Sequence, residues 1–369
     1  MTTKYKCNTK SRALVFPGSD LEIMAEEEDQ VGVAGSCSQR TQIGIATSPS
    51  HSLHDWHALP LADRPRLVDV RSEEAFQARR LVSSINLPID DLVNLLFELP
   101  EPSVGLAIVA TNLEEGENAV KLLDSRYWHC IPFIFVEDES EENSVLWRSA
   151  ATLRLLTSGQ ISPQDRRIIY TPNPFLVSHI DFVEESLAET HLVSSSQSFY
   201  TCCDVGCGAG RDSVWLAKRG RGWLVRCVDR LPRCLDRVQR LACRHGVSNL
   251  IECETSLVRG ARVHSSSTSP SFETRKYDLV LAIRFFEREF LTSLGEMVRP
   301  GGGFLLLVSF VAREDGVAYE HPKDPKKVLL AGELVQVFGT GGMGFETVEN
   351  CSQILPDGRV MSAYLARRL

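Results

Sequence analysis

Two blocks of the chain carry the alternation of short apolar runs with helical spacing that builds a sheet flanked by helices. In the first block, Leu67-Val68-Asp69-Val70, Leu106 to Ala110 and Ile131 to Val136 read as strands, while Glu73 to Leu81 and Glu117 to Leu123 space apolar residues as a helix does. Val145 to Leu156 predicts a helix that closes this block. In the second block the predicted strands are Cys202 to Val205, Leu224 to Val228, Ile251 to Thr255, Leu279 to Ile283 and Phe304 to Val308. Phe175, Leu176, Ile180 and Val183 share one face of a helix leading into it, and Leu231, Leu235, Val238 and Leu241 share a face of another. Repetition of this kind predicts parallel sheets, hence an α/β chain of two domains.

Around these blocks the pattern lapses. Residues 1–50 mix Ser, Thr and Gly with the acidic run Glu26-Glu27-Glu28-Asp29 and few large apolar side chains, a composition that cannot offset the entropy of ordering, so a flexible tail is expected. The domains are expected at 51–157 and 172–369, with a linker at 158–171. Asp138 to Asn143 reads as a solvated acidic loop, and Ser265 to Ser271 as a flexible excursion between the third and fourth strands of the second block.

At 369 residues the chain is long enough for two separate cores. No apolar run approaches the ~20 residues of a membrane helix, and the first residues lack a secretory apolar segment, which predicts a cytoplasmic protein without a membrane partner. Charge is unevenly shared: residues 1–150 hold 13 Lys and Arg against 24 Asp and Glu, the remainder 27 against 24. The eleven cysteines form no CxxC pair, which argues against a disulfide framework or a metal site and for small buried residues in a reducing compartment.

The densest chemistry lies at Asp204-Val205-Gly206-Cys207-Gly208-Ala209-Gly210-Arg211. Three glycines at alternate positions permit left-handed backbone and leave no Cβ between the main chain and a ligand. A dinucleotide fingerprint would place its third glycine where Arg211 stands, so a nicotinamide or flavin is disfavoured. The helix opening at Arg211 points free N–H groups at the turn, which suits a carboxylate as well as a phosphate. Asp229, closing the next strand, is placed to accept two ribose hydroxyls. S-adenosylmethionine fits these features.

From Asp204 to Leu216, Val228 to Pro232, Leu235-Asp236-Arg237, Arg244-His245-Gly246, Tyr277 to Ala282 and Val298-Arg299-Pro300-Gly301-Gly302-Gly303, the chain resembles class I S-adenosylmethionine-dependent methyltransferases, nearest the tellurite-resistance and thiopurine-type group. The resemblance spans about residues 170 to 369 and implies a Rossmann-like doubly wound domain. It implies cofactor contacts at Asp204, Gly206, Cys207, Gly208 and Gly210, at Asp229 and Arg230, and at Ile283 and Arg284. Glu254 or Thr255 stands where an acid commonly meets the adenine amine. Arg284, Phe285, Ser309 and Phe310 are expected on the acceptor side, and no particular catalytic residue is implied.

The first block carries a second resemblance. Asp69-Val70-Arg71, Glu74, Phe76 and Ile85-Asn86-Leu87-Pro88 are similar to the opening of a rhodanese-like domain, a small parallel α/β fold of sulfurtransferases. The family's cysteine would fall at Ala110 or Thr111, and the loop after it, Thr111 to Glu117, brings three glutamates where an anion would bind. An inactive module serving a partner protein or self-association is therefore expected. Cys130 reads as core.

Three functional readings stay open. The leading one is methyl transfer to a small molecule such as a thiol or chalcogen oxyanion. A stripe of Arg230, Arg233, Arg237, Arg240 and Arg244 supports RNA or protein as the acceptor, or docking on an acidic surface, against a plain solvated helix face. The third is a non-catalytic scaffold that binds S-adenosylmethionine.

Overall fold

The computed structural model describes residues 52–137, 144–194, 199–265, 271–313, 316–317, 319–320, 322, 324–355 and 359–369. The expected tail, the acidic loop at 138–143 and most of the serine-rich excursion lie outside them. The chain divides into two compact units, one ending at Tyr170 and one beginning at Thr171.

The first unit runs α1 (Leu53–Ala58), β1 (Arg66–Asp69), α2 (Glu73–Ala78), β2 (Arg80–Leu81), β3 (Ile85–Asn86), β4 (Leu106–Ala110), α3 (Leu113–Asp124), β5 (Phe133–Val136), α4 (Val145–Thr152) and β6 (Leu156–Thr157). Four strands form a parallel sheet in the order β3-β1-β4-β5, and β2 pairs antiparallel with β6. Several expected boundaries move. The helix expected to reach Leu81 stops at Ala78 and the one expected to reach Leu156 stops at Thr152, because the residues beyond each become the β2–β6 ribbon. The stretch 158–171 is tied down rather than free through Tyr170: Gly159 N–H donates to Gln77 O at 2.8 Å, Ile161 N–H to Gln77 Oε1 at 2.8 Å, and Arg166 pairs with Glu73 at 2.6 Å. Cys130, expected in the core, is exposed on the loop before β5.

The second unit runs α5 (Pro174–Ser194), β7 (Tyr200–Val205), α6 (Arg211–Lys218), β8 (Trp223–Asp229), α7 (Pro232–Arg244), β9 (Ile251–Arg259), β10 (Arg262–Ser265), β11 (Leu279–Ile283), α8 (Leu291–Met297), β12 (Phe304–Phe310), α9 (Glu333–Phe338), β13 (Phe345–Ile354) and β14 (Val360–Arg368). Its sheet has the order β10-β9-β8-β7-β11-β12-β14-β13, parallel from β9 to β12, with β10 and β14 antiparallel to their neighbours. Strand order reverses between β7 and β11, which puts a crevice at the carboxyl end of β7.

Helices cover both faces. Leu291, Leu294 and Met297 of α8 and Leu334 and Phe338 of α9 pack on Val205, Ala282, Leu305, Leu307 and Tyr364. On the other face Phe182 of α5 meets Phe304 edge-on at 6.0 Å, and Arg219 at the end of α6 holds Glu184 of α5 through two 2.9 Å bonds. On α7 Leu235, Val238 and Leu241 are buried, each worth about 1.5–3 kcal/mol, while Arg233, Arg237 and Arg240, with Arg230 just before the helix, face outward and Arg244 is half-buried.

Candidate active site

The turn after β7 is built from left-handed glycines. Gly206, Gly208 and Gly210 have φ of 76°, 54° and 75°, values a residue with a Cβ adopts only under strain. Gly206 and Cys207 N–H both donate to Val228 O, at 2.8 and 3.1 Å, and Gly210 N–H donates to Cys207 O at 2.9 Å. A Cβ on Gly210 would lie 2.7 Å from Val238 of α7. Gly210 is also the cap of α6 and has no side-chain oxygen for the first turn. The first N–H groups of this helix therefore open onto the turn.

Asp229 stands beside the same turn. Its Oδ2 accepts from Gly208 N–H at 3.0 Å and its Oδ1 from Leu231 N–H at 2.9 Å. Behind the turn, buried Asp204 accepts from Ser213 Oγ of α6 at 2.5 Å. These bonds hold strand, turn and helix as one piece. A backbone surface free of Cβ atoms, with a carboxylate at its edge, fits an adenosine-bearing cofactor with a methionine carboxylate.

Across the crevice, β11 ends at Ile283, and Arg284 takes a left-handed φ of 59° while its N–H donates to Val308 O at 2.7 Å. That turn lays Phe285 against Gly206, whereas Phe286 enters the core. Ser309 and Phe310, expected together on the acceptor side, point to opposite faces as neighbours on a strand must. Ser309 pairs in register with Ser362 and is buried, while Phe310 pairs with Met361 and lies half-buried beside the Tyr319 ring at 6.2 Å.

Glu254 takes a different place from the one expected. It pairs in register with Val228, whereas Thr255 pairs with Asp229. Its carboxylate is buried, 2.9 Å from Arg226 Nε, and accepts from Ser256 Oγ at 2.8 Å. Arg226 also donates to Glu252 at 2.9 Å. A buried guanidinium needs such acids, and their strand positions bring both beside it, while its Nε and Nη1 make no hydrogen bond among the described residues. Arg230 is exposed.

A row of thiols flanks the turn. Cys227 pairs in register with Cys253, and Cys207 hydrogen-bonds Cys227. That bond works to lower the Cys207 pKa, but burial and the carboxylates of Asp204 and Asp229 push it up to about 12. Cys227 and Cys253 are likewise raised, so ionisation to thiolate is disfavoured at all three. Among the described residues no group of His, Cys, Asp or Glu is arranged for a metal.

The corresponding loop of the first unit is filled by its own side chains. The helix expected from Glu117 begins at Leu113, because Asn112 caps it by accepting from Glu115 N–H at 2.9 Å. Glu115 turns back and accepts from Thr111 N–H at 2.5 Å. Nearby Arg71 bonds Asp69 and Glu137, and Trp147 Nε1 donates to Glu137 at 2.8 Å.

Sequence reasoning missed the seat of Phe285 on Gly206 and the bond from Asn173 N–H to Asp212 Oδ1, 2.5 Å, which ties the start of α5 to α6. The Pro172-Asn173-Pro174 stop was the one signal for the second.

Residues 202–302 match the family described as a methyltransferase domain. Uncharacterized protein UNK4.09 of Schizosaccharomyces pombe is 24% identical over 336 residues, covering 82% of this chain and 94% of that protein, more than either unit alone supplies. Among solved structures, the chain is similar to a SAM-dependent methyltransferase of Aquifex aeolicus, 16% identical with a TM-score of 0.33 over 53% of this chain and 94% of that one. It is also similar to the Burkholderia thailandensis 1,6-didemethyltoxoflavin-N1-methyltransferase with bound 1,6-didemethyltoxoflavin and S-adenosylhomocysteine, 18% identical with a TM-score of 0.33 over 53% and 85%.

Proposed function

We propose that this protein, a methyltransferase whose cofactor is S-adenosylmethionine, transfers the methyl group to a small-molecule acceptor, a thiol or a chalcogen oxyanion. The observation that carries the reading is the Cβ-free turn Gly206 to Gly210 with the Asp229 carboxylate bonded to its centre. In this reading the turn and the N–H groups of α6 hold the methionine end, Asp229 accepts from the ribose hydroxyls, and Ile283 and Arg284 border the sulfonium side. The bound cofactor supplies an electrophilic methyl group whose leaving thioether is neutral, so alignment and exclusion of water are the protein's main tasks. Phe285, seated on Gly206, shields that side from water.

The first unit is read as a rhodanese-like accessory module at 51–157 without sulfur transfer. Two features support this: Ala110 and Thr111 offer no thiol, and the Glu115 carboxylate occupies the N–H that an anion would use.

Calorimetric titration with S-adenosylmethionine tests the reading. Micromolar binding, lost in Asp229→Ala, is expected. Absence of binding by the wild type overturns it.

A further inference from the structure

Gln353 of β13 is 4% exposed, yet its Nε2 has no hydrogen-bond partner. Leaving such a donor unpaired costs about as much as a net hydrogen bond contributes, or more. Its position is informative. β13 runs parallel to β12, and Gln353, Met361 and Phe310 stand side by side across β13, β14 and β12 at the carboxyl end of the sheet, the end where open α/β sheets bind ligands. Directly paired residues share a face. The donor therefore shares its row with Met361 and the Phe310 ring, which in turn meets Tyr319 at 6.2 Å and the Arg359 guanidinium at 4.8 Å.

We propose that Gln353 is a specificity-determining residue whose amide N–H binds an oxygen at the far end of the methyl acceptor. This rests on the methyltransferase reading. The crevice beside Arg284 lies at β11, three strand spacings from β13, so the nucleophile and that oxygen are about 14 Å apart. Within the proposed acceptors this selects an elongated thiol with an aromatic body and an oxygen-bearing tail; a simple chalcogen oxyanion is too short to reach both ends. The neutral donor asks for a hydroxyl, carbonyl or carboxylate oxygen.

The test uses the full chain and two probes of equal frame whose length spans that distance, 4-mercapto-p-terphenyl and 4″-hydroxy-4-mercapto-p-terphenyl. Affinity is measured by calorimetry with S-adenosylhomocysteine bound, and KM and kcat with S-adenosylmethionine. Wild type should bind the hydroxylated probe about tenfold more tightly, the yield of one buried hydrogen bond. Gln353→Leu should abolish that preference while keeping kcat and affinity for the parent thiol; Gln353→Asn, with a shorter amide, should restore part of it. Equal wild-type affinity for both probes, affinity for neither, or an unchanged preference in Gln353→Leu overturns the inference. Failure of S-adenosylmethionine to bind the wild type is a separate result, which removes the methyltransferase reading and this inference with it.

Discussion

Phe285 occupies the space a side chain on Gly206 would need: a Cβ there would stand 2.6 Å from Phe285 Cβ. The two residues follow neighbouring strands, β7 and β11, and Arg284 with its φ of 59° swings the ring back over the turn. A non-glycine residue held in this region stores about 1–3 kcal/mol. The strain is thus spent where the crevice narrows.

Gly206→Ala should weaken S-adenosylmethionine binding at least tenfold and lower stability by about 1–3 kcal/mol. Adding Phe285→Gly, which removes the Phe285 Cβ together with the ring, should relieve the clash but not the backbone strain, so calorimetry should show partial recovery. Full recovery would mean the left-handed φ contributes nothing.

Thr111→Cys should not produce thiocyanate from thiosulfate and cyanide. The Glu115 carboxylate already holds the Thr111 N–H and repels a second anion. Turnover by the single variant would show the loop to be competent and would refute the accessory role assigned to it.

Glu137→Gln should cost about 2–3 kcal/mol at neutral pH. Burial works to raise the Glu137 carboxyl, but Arg71, Trp147 and Arg79 outweigh it and hold the group below the ordinary value of 4.5. A depressed folded-state pKa contributes stability that is present above 4.5 and is lost as pH falls through the folded value. Denaturation curves of wild type and variant should therefore converge in acid. A gap that persists there would assign the effect to shape rather than charge.

Iodoacetamide at pH 8 should label Cys130 and Cys243, both exposed, far faster than Cys207. A thiol pushed up to about 12 holds roughly a thousandfold less thiolate than an ordinary one. Peptide mapping reads the order directly, and rapid labelling of Cys207 would contradict its raised pKa.

Much of this fold is written in local pattern. The strands around Asp204, Val228, Leu281 and Leu306, the apolar face of α7 and the glycine turn could all be read from spacing, because burial on a sheet or helix imposes a period and a left-handed turn demands glycine. The start of α3 at Leu113 was also within reach, since Asn112 and Glu115 stand at capping distance, but three glutamates within four residues read as loop. The β13–β14 hairpin and the β9–β10 extension escaped notice; their polar, half-exposed edges show little periodicity.

What the residue order determined was the left-handed glycine turn and the carboxylate beside it, because backbone shape and one acid at a strand end suffice for them. Tertiary structure alone decided which distant partner a side chain takes. Glu254 went to Arg226, Phe285 to Gly206, and the Gln353 amide N–H to a buried place beside Met361 without a mate. Such choices depend on strand register and on faces brought together from distant segments, and a linear pattern carries neither.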